Sequence, residues 1–169
     1  PLVAWLSERR RLVWATLRAG HAGTANGVRD FLAQALTMLP VGHRIGLVRA
    51  DAGFCVTAFF TALEARELPY IIVGRLTPLV RKLVIHRIPE ADWQPVTRGI
   101  AVADVMATLS AWRGQTRRFV CLRQTLTERP TASGRRLIEC HGYTYRVLVT
   151  TVPFAAKLVT RMYAGRADC

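Results

Sequence analysis

Acidic residues, lysines and long apolar runs are all scarce in this chain, and each scarcity excludes a class of protein. The longest apolar-leaning window, 52–65, contains two threonines and is shorter than the roughly 18 apolar residues of a membrane span. The four cysteines stand too far apart for a C-x-x-C pair, and the four histidines are not at zinc-ligand spacings beside them. We therefore expect neither a membrane-spanning protein nor a zinc domain, and we interpret the cysteines as the reduced thiols of a cytosolic protein.

Arginine is the residue in excess. The chain has 24 basic residues against 11 acidic ones, a net charge of +13 and a pI near 11.1, and every basic residue except Lys82 and Lys157 is arginine. Polyanions are the expected partners of such a chain, and the planar guanidinium suits a phosphate backbone. A genome rich in arginine codons also gives this composition, so charge alone favours nucleic acid only modestly. Because 51% of the residues are hydrophobic, we expect a folded chain. Its length of 169 residues is that of about one domain.

The first half of the chain alternates strand-like and helix-like patterns. Short runs of apolar and β-branched residues predict strands over 11–17, 43–50 and 70–76. Apolar residues at helical spacing or on nearly every face predict helices over 28–39, 54–67 and 77–84. Thr24 or Asn26 is expected to cap the first helix, and Thr77 the third. The order strand, helix, strand predicts a right-handed parallel crossover in an α/β fold.

The second half of the chain changes character. Prolines and short arginine-flanked runs over 89–142 predict a β-rich insertion of antiparallel strands. Alternation over Tyr143–Thr150 predicts a half-buried strand, and Pro153 is expected to open a final helix. That helix is expected to carry Ala155, Leu158, Val159 and Met162 on one face. We divide the chain into a core part (1–88), an insertion (89–142) and a return to the core (143–169).

The segment that points to chemistry is RADAGF, residues 49–54. Asp51 follows a predicted strand directly, and open α/β sheets bind ligands at the carboxyl ends of their strands. Position alone also fits an aspartate that caps the following turn or helix.

Three stretches together resemble the catalytic domain of bacterial insertion-sequence transposases of the DDE class. They are LRAGHAGTANGVRDFL (17–32), RADAGF with the following YIIVGRL (49–54 and 70–76), and YTYRVLVTT leading to Tyr163 and Arg166. The resemblance implies an α/β fold, a ribonuclease-H-like sheet flanked by helices, with a mainly β insertion. It also implies a bacterial, cytoplasmic protein whose partner is DNA, at transposon ends and target sites, with no membrane partner and with a homodimer as the intact form.

The resemblance further assigns roles to three residues. Asp51 corresponds to the second catalytic, metal-binding aspartate, and Tyr163 and Arg166 correspond to a DNA-contacting pair. In the intact protein, Mg²⁺ or Mn²⁺ would support DNA cleavage and strand transfer. The family's first aspartate would precede Pro1 and its glutamate would follow Cys169, so we expect weak or no metal binding and no activity from this chain alone. A catalytically dead, basic DNA-binding remnant is the alternative. Trp93 and Trp112 fit either a DNA-base contact or the core.

Overall fold

A computed structural model describes residues 1–17, 23, 26–112, 114–126 and 142–165, which form an α/β fold with eight strands and four helices. The strands are β1 (Leu2–Leu6), β2 (Arg11–Thr16), β3 (Val48–Ala50), β4 (Tyr70–Val73), β5 (Gln94–Thr97), β6 (Ile100–Thr108), β7 (Thr116–Thr125) and β8 (Tyr143–Thr150). The helices are α1 (Val28–Thr37), α2 (Thr57–Glu64), α3 (Pro78–Leu83) and α4 (Ala156–Ala164). The predicted fold class, a ribonuclease-H-like sheet flanked by helices, is confirmed.

The strands form two sheets within the described residues. Strands β1 and β2 make an antiparallel hairpin, and the other six make one sheet in the order β3-β4-β8-β7-β6-β5. Strand β3 pairs with β4 in parallel, as the crossover prediction requires, and the remaining pairs are antiparallel. The predicted antiparallel strands of segment 89–142 are therefore present, in the same sheet as β3 and β4. The division into 1–88, 89–142 and 143–169 stays a prediction.

The large sheet has an apolar core on each face. Helices α1 and α2 cover one face, where Phe60, Tyr70 and Val147 are fully buried. Helix α4 covers the other, through Val159 packed with Leu148 and its neighbours. Strand β8 lies between β4 and β7, so its carboxyl-terminal half, 147–150, is buried on both faces. The half-buried pattern predicted for this strand is therefore wrong over those residues.

Several predicted boundaries were wrong, for reasons that differ between elements. Strand β3 begins at Val48 rather than at residue 43, since Val48 lies opposite Tyr70, the first residue of its partner strand. Helix α2 begins at Thr57 rather than at residue 54, because Ala52–Phe54 form a 3-10 turn first. Helix α4 begins at Ala156 rather than at Pro153. Its buried residues are Ala156 and Val159, whereas Leu158, which was predicted on the same face, is 44% exposed.

Two helix starts illustrate the local rules. The hydroxyl of Thr77 accepts a hydrogen bond from the Val80 amide at 3.2 Å, with Pro78 at the first helical position, as predicted. The residue at the N-cap of α1 is Gly27, with φ of +69°, rather than Asn26; Thr24 lies outside the described residues. A left-handed backbone at that position favours glycine, because any side chain there would be strained.

Candidate active site

Asp51 lies directly after Ala50, the last residue of β3, at the carboxyl end of the parallel β3–β4 pair. Its backbone is extended, with φ of −76° and ψ of 170°, and its side chain is exposed. The backbone carbonyl of Asp51 accepts a hydrogen bond from the Phe54 amide at 2.9 Å, which closes the 3-10 turn. The carboxylate makes no capping hydrogen bond to that turn. It is therefore presented at the end of the sheet, where open α/β folds place their ligands.

Helix α4 brings Tyr163 to the same place. The Tyr163 hydroxyl donates a hydrogen bond to Asp51 Oδ1 across 3.4 Å, between residues that are 112 positions apart in sequence. At that length the bond is weak. Two of the three residues singled out from the sequence, Asp51 and Tyr163, are thus in contact. Arg166 lies outside the described residues.

Arg49 holds this part of the molecule together. Its Nη1 donates to the backbone carbonyl of Met162 in α4 at 2.8 Å, and its Nη2 donates to Ser7 Oγ at 2.7 Å. One guanidinium therefore joins β3, the carboxyl-terminal half of α4 and the turn after β1. Because Met162 and Tyr163 are consecutive, this bond helps to fix the position of Tyr163 beside Asp51.

Arg75 is a functional candidate that the sequence pattern did not identify. It stands two residues after β4, and its Nε donates to the Ala52 carbonyl at 3.1 Å while Nη2 donates to the Gly53 carbonyl at 3.4 Å. The side chain is exposed, so a positive charge is fixed beside the turn that follows Asp51. The order of the strands could have identified Arg75, because residues that follow two paired parallel strands meet at one edge of the sheet.

Cys55 lies beside this turn but does not suit nucleophilic or metal chemistry. Its burial raises the pKa of the thiol, and the opposing effects of a backbone hydrogen bond from Arg75 and of the charges of Arg75 and Arg117 do not offset that increase. The thiolate is the form that attacks or binds metals. Cys55 is therefore a neutral, structural thiol at neutral pH.

The side chains present do not by themselves fit a two-metal centre. Such a centre holds two divalent ions about 4 Å apart with a cluster of carboxylates, and Asp51 supplies one carboxylate. Among the residues that the structure describes, no group of three or more histidine, cysteine, aspartate or glutamate side chains is placed to hold a metal ion. No metal-dependent step can be assigned to these residues alone.

Trp93 and Trp112 belong to the core. Trp112 is 5% exposed, stacks on Phe119 at 5.2 Å and meets the Phe60 ring edge-on at 5.3 Å. Trp93 is 9% exposed and lies under the guanidinium of Arg123, 4.4 Å from it. Protein groups therefore cover both rings. This confirms the alternative that they are core residues, rather than a surface on which DNA bases stack.

Comparison with known proteins identifies a family for the chain. The family model described as "Transposase DDE domain group 1" matches residues 1–169. No curated protein matches the chain. In the part of the chain that the structure describes, no helix is both long enough and apolar enough to span a bilayer.

Proposed function

The chain belongs to the group 1 family of transposase DDE domains, and from that premise we propose that it supplies the second catalytic aspartate, Asp51, and part of the DNA-binding surface of a transposase. Members of this family act in DNA transposition, bind DNA and generally use divalent metal ions. We further propose that the intact protein binds DNA in the bacterial cytoplasm and acts as a homodimer.

The observation that carries the proposal is the contact between Asp51 and Tyr163 at the carboxyl end of β3. A carboxylate there can ligate a divalent ion, and the Tyr163 hydroxyl can restrain its orientation. Arg75, fixed beside the same turn, and Arg166, three residues after Tyr163, supply positive charge for a DNA phosphate. These four residues are the proposed share of this chain in the site.

Cleavage and strand transfer need more than this chain offers. Phosphoryl transfer at a two-metal site needs carboxylates on both ions, and magnesium binds only weakly through one carboxylate. We propose that the missing acids come from segments outside residues 1–169 and that this chain alone is inactive. A catalytically dead DNA-binding remnant is the second candidate, because DNA binding requires the basic residues of the chain but no complete metal site.

DNA binding is tested by the salt dependence of affinity. Fluorescence anisotropy with a labelled duplex of arbitrary sequence, measured over a range of KCl concentrations, should show log affinity falling linearly with log salt as counterions are released. Arg75→Ala should reduce the slope by about one phosphate contact, or ~0.9. Arg98→Ala is the matched control, because Arg98 is exposed in the turn between β5 and β6, at the opposite edge of the sheet.

Equal slopes for the wild-type chain and both variants would remove Arg75 from the DNA surface. No binding at low salt would overturn the DNA-binding proposal as a whole. Specific recognition of one duplex over another is not expected from this chain, since phosphate contacts carry no sequence information.

Catalysis is tested with supercoiled plasmid and Mg²⁺ or Mn²⁺. We expect no nicking by residues 1–169, and nicking that Asp51→Ala abolishes would overturn the proposal that acids are missing. A longer chain with its flanking sequence separates the two candidates. Metal-dependent cleavage by that chain, lost in Asp51→Asn, supports the transposase, whereas DNA binding without cleavage supports the remnant.

A further inference from the structure

Arg118 of β7 joins the sheet to the segment that leads into α4. Its Nη1 donates to the backbone carbonyls of Val152 and Phe154, each at 2.8 Å. Its Nε donates to Asp104 Oδ2 at 2.8 Å, and its Nη2 donates to the same oxygen. The side chain is 19% exposed. One guanidinium therefore connects strand β6, through Asp104, with two carbonyls of the segment between β8 and α4.

The start of α4 is held from outside the helix. Ala155 occupies its N-cap position and makes no side-chain hydrogen bond to it. The segment that precedes the helix is tied to β4 at its beginning, where the Thr150 hydroxyl donates to the Tyr70 carbonyl at 2.7 Å and accepts from the Val152 amide at 3.0 Å. Arg118 continues that restraint as far as the residue before the N-cap.

Polar and apolar contacts fix different aspects of the position of α4. Ala156 and Val159 are buried against the sheet, which determines the face that the helix presents to it. Apolar burial is non-directional, whereas hydrogen bonds weaken steeply with distance and angle. The position of α4 along its own axis is therefore set chiefly by Arg118 before the helix and by Arg49, which binds the Met162 carbonyl near the other end.

That axial position decides whether Tyr163 reaches Asp51. The Tyr163 hydroxyl and Asp51 Oδ1 are 3.4 Å apart, so a shift of about 1 Å that separates them would break the hydrogen bond. The helix from Ala156 to Tyr163 spans about 10 Å, and a hydrogen-bonded helix of this length moves as one rigid element. A displacement at the start of α4 is therefore transmitted to Tyr163.

We propose that Arg118 is a positioning residue of the proposed active site, although it lies at the far end of α4. It acts on Asp51 through the helix, by holding the preceding segment so that the Tyr163 hydroxyl stays within reach of the Asp51 carboxylate. The planar guanidinium suits this task because it directs several N–H groups at a carboxylate and two carbonyls at once. This role rests on the proposed function, in which Tyr163 restrains Asp51.

The test follows the contact between Tyr163 and Asp51 in the 169-residue chain, without DNA or metal. Fluorotyrosine, with the fluorine next to the hydroxyl, replaces Tyr163 alone, and the fluorine NMR resonance is recorded below neutral pH, where the phenol keeps its proton. The change in chemical shift that Asp51→Asn causes measures the contact, because it removes a nearby charge. Arg118→Met should make that change at least about threefold smaller, as the coupling in a double-mutant cycle.

Arg123→Met is the matched control. Arg123 lies on the same strand, is 11% exposed and pairs with Glu90, but it packs on Trp93 in the core on the other face of the sheet. Its loss should destabilise the chain and leave the Asp51-dependent shift unchanged. Urea denaturation of each variant distinguishes a general loss of stability from a displaced helix.

A lysine variant decides the matter if Arg118→Met does not fold. Arg118→Lys keeps a charge for Asp104, but three N–H groups on one nitrogen do not reproduce the planar fork. The Asp51-dependent shift should therefore fall by about half or more.

Three results would overturn the inference. One is an undiminished Asp51-dependent shift in folded Arg118→Met or Arg118→Lys, and another is an equal decrease in Arg123→Met. The third is the absence of an Asp51-dependent shift in the parent chain, since there would then be no contact to hold.

The consequence for cleavage is measured separately, in the longer chain with its flanking sequence. A misplacement of about 1 Å costs on the order of 100-fold in rate, so Arg118→Met should slow cleavage at saturating DNA at least about tenfold while DNA affinity is kept. If the fluorine resonance responds as expected and cleavage does not, Arg118 still positions Tyr163, and the part of the proposed function that gives Tyr163 a role beside Asp51 is wrong.

Discussion

The ion pair between Glu64 of α2 and Arg117 of β7 offers the sharpest test of how the two halves of the chain are joined. Arg117 is 5% exposed, and its Nε and Nη2 donate to the two carboxylate oxygens of Glu64, each at 2.8 Å. The Tyr70 hydroxyl donates to the same carboxylate at 2.8 Å. The guanidinium also lies 4.8 Å from the centre of the Phe60 ring and 5.0 Å from that of Trp112.

Glu64→Gln keeps the shape of the side chain but leaves the buried guanidinium without its counter-charge. Removing one member of a buried pair costs about 3–5 kcal/mol, and because Glu64 is 29% exposed we expect the low end, about 3 kcal/mol. For a chain of this size that loss lowers the Tm by roughly 6–12 °C. Urea denaturation followed by circular dichroism measures the free energy of unfolding directly.

The double-mutant cycle with Arg117→Met separates the pair from its surroundings. Replacing both members removes the uncompensated charge, so the double variant should be about 2 kcal/mol more stable than the sum of the single losses predicts. A loss below about 1 kcal/mol for Glu64→Gln, or strictly additive losses, would show that solvent screens the pair and would refute the reasoning.

The pH dependence of stability gives the same pair a second readout. Burial alone would raise the pKa of Glu64, but hydrogen bonds from Arg117 and Tyr70 and the charge of Arg117 outweigh burial and lower it. A carboxyl group with a lowered pKa in the folded state stabilises the protein above its unfolded pKa. That contribution is lost as pH falls through the folded pKa. The Glu64→Gln variant should therefore lose less stability on acidification than the wild-type chain.

Two further predictions concern single groups. The hydrogen bond and charge of Arg123 hold the pKa of Glu90 below its ordinary value despite slight desolvation. Arg123→Ala should therefore raise the pKa of Glu90, which an NMR titration measures. An unchanged pKa would show that the ion pair does not persist in solution. Burial, with a smaller effect of the charge of Asp104, raises the pKa of Cys121 to about 12. This thiol should therefore not react with iodoacetamide at neutral pH until the chain unfolds. Peptide mass mapping detects the label, and labelling of Cys121 in the native chain would contradict the prediction.

The sequence predicted the elements of the fold better than their limits. The apolar run at 70–76 and the stripe on α1 each carry a local signal, and both elements are present. The start of β3 has no such signal, because Tyr70 on another strand decides where pairing begins. The β1 strand at residues 2–6 was not predicted, since its exposure pattern shows only in pairing with β2.

In the candidate site, too, the sequence identified residues with a local signal and missed one whose role depends on strand pairing. Asp51 was identifiable because the motif around it and its place after a strand are both local features. Arg75 was not, because an arginine two residues beyond a strand resembles any solvated charge until the strand is known to pair with β3. Trp112 shows the converse case, since its ring contacts with Phe60 and Phe119 come from two distant segments and exclude the role in DNA-base stacking that the sequence left open.

The contact between Asp51 and Tyr163 follows from the order of the strands. Segment 89–142 adds β5, β6 and β7 at the far edge of the sheet, and β8 then returns between β7 and β4. Helix α4 follows β8 and packs over β6 and β7, so its carboxyl-terminal end comes back to β3, where Arg49 binds the Met162 carbonyl. Strands β6 and β7 thus support α4, and a change that loosens these strands or β8 should separate Tyr163 from Asp51 without altering either residue.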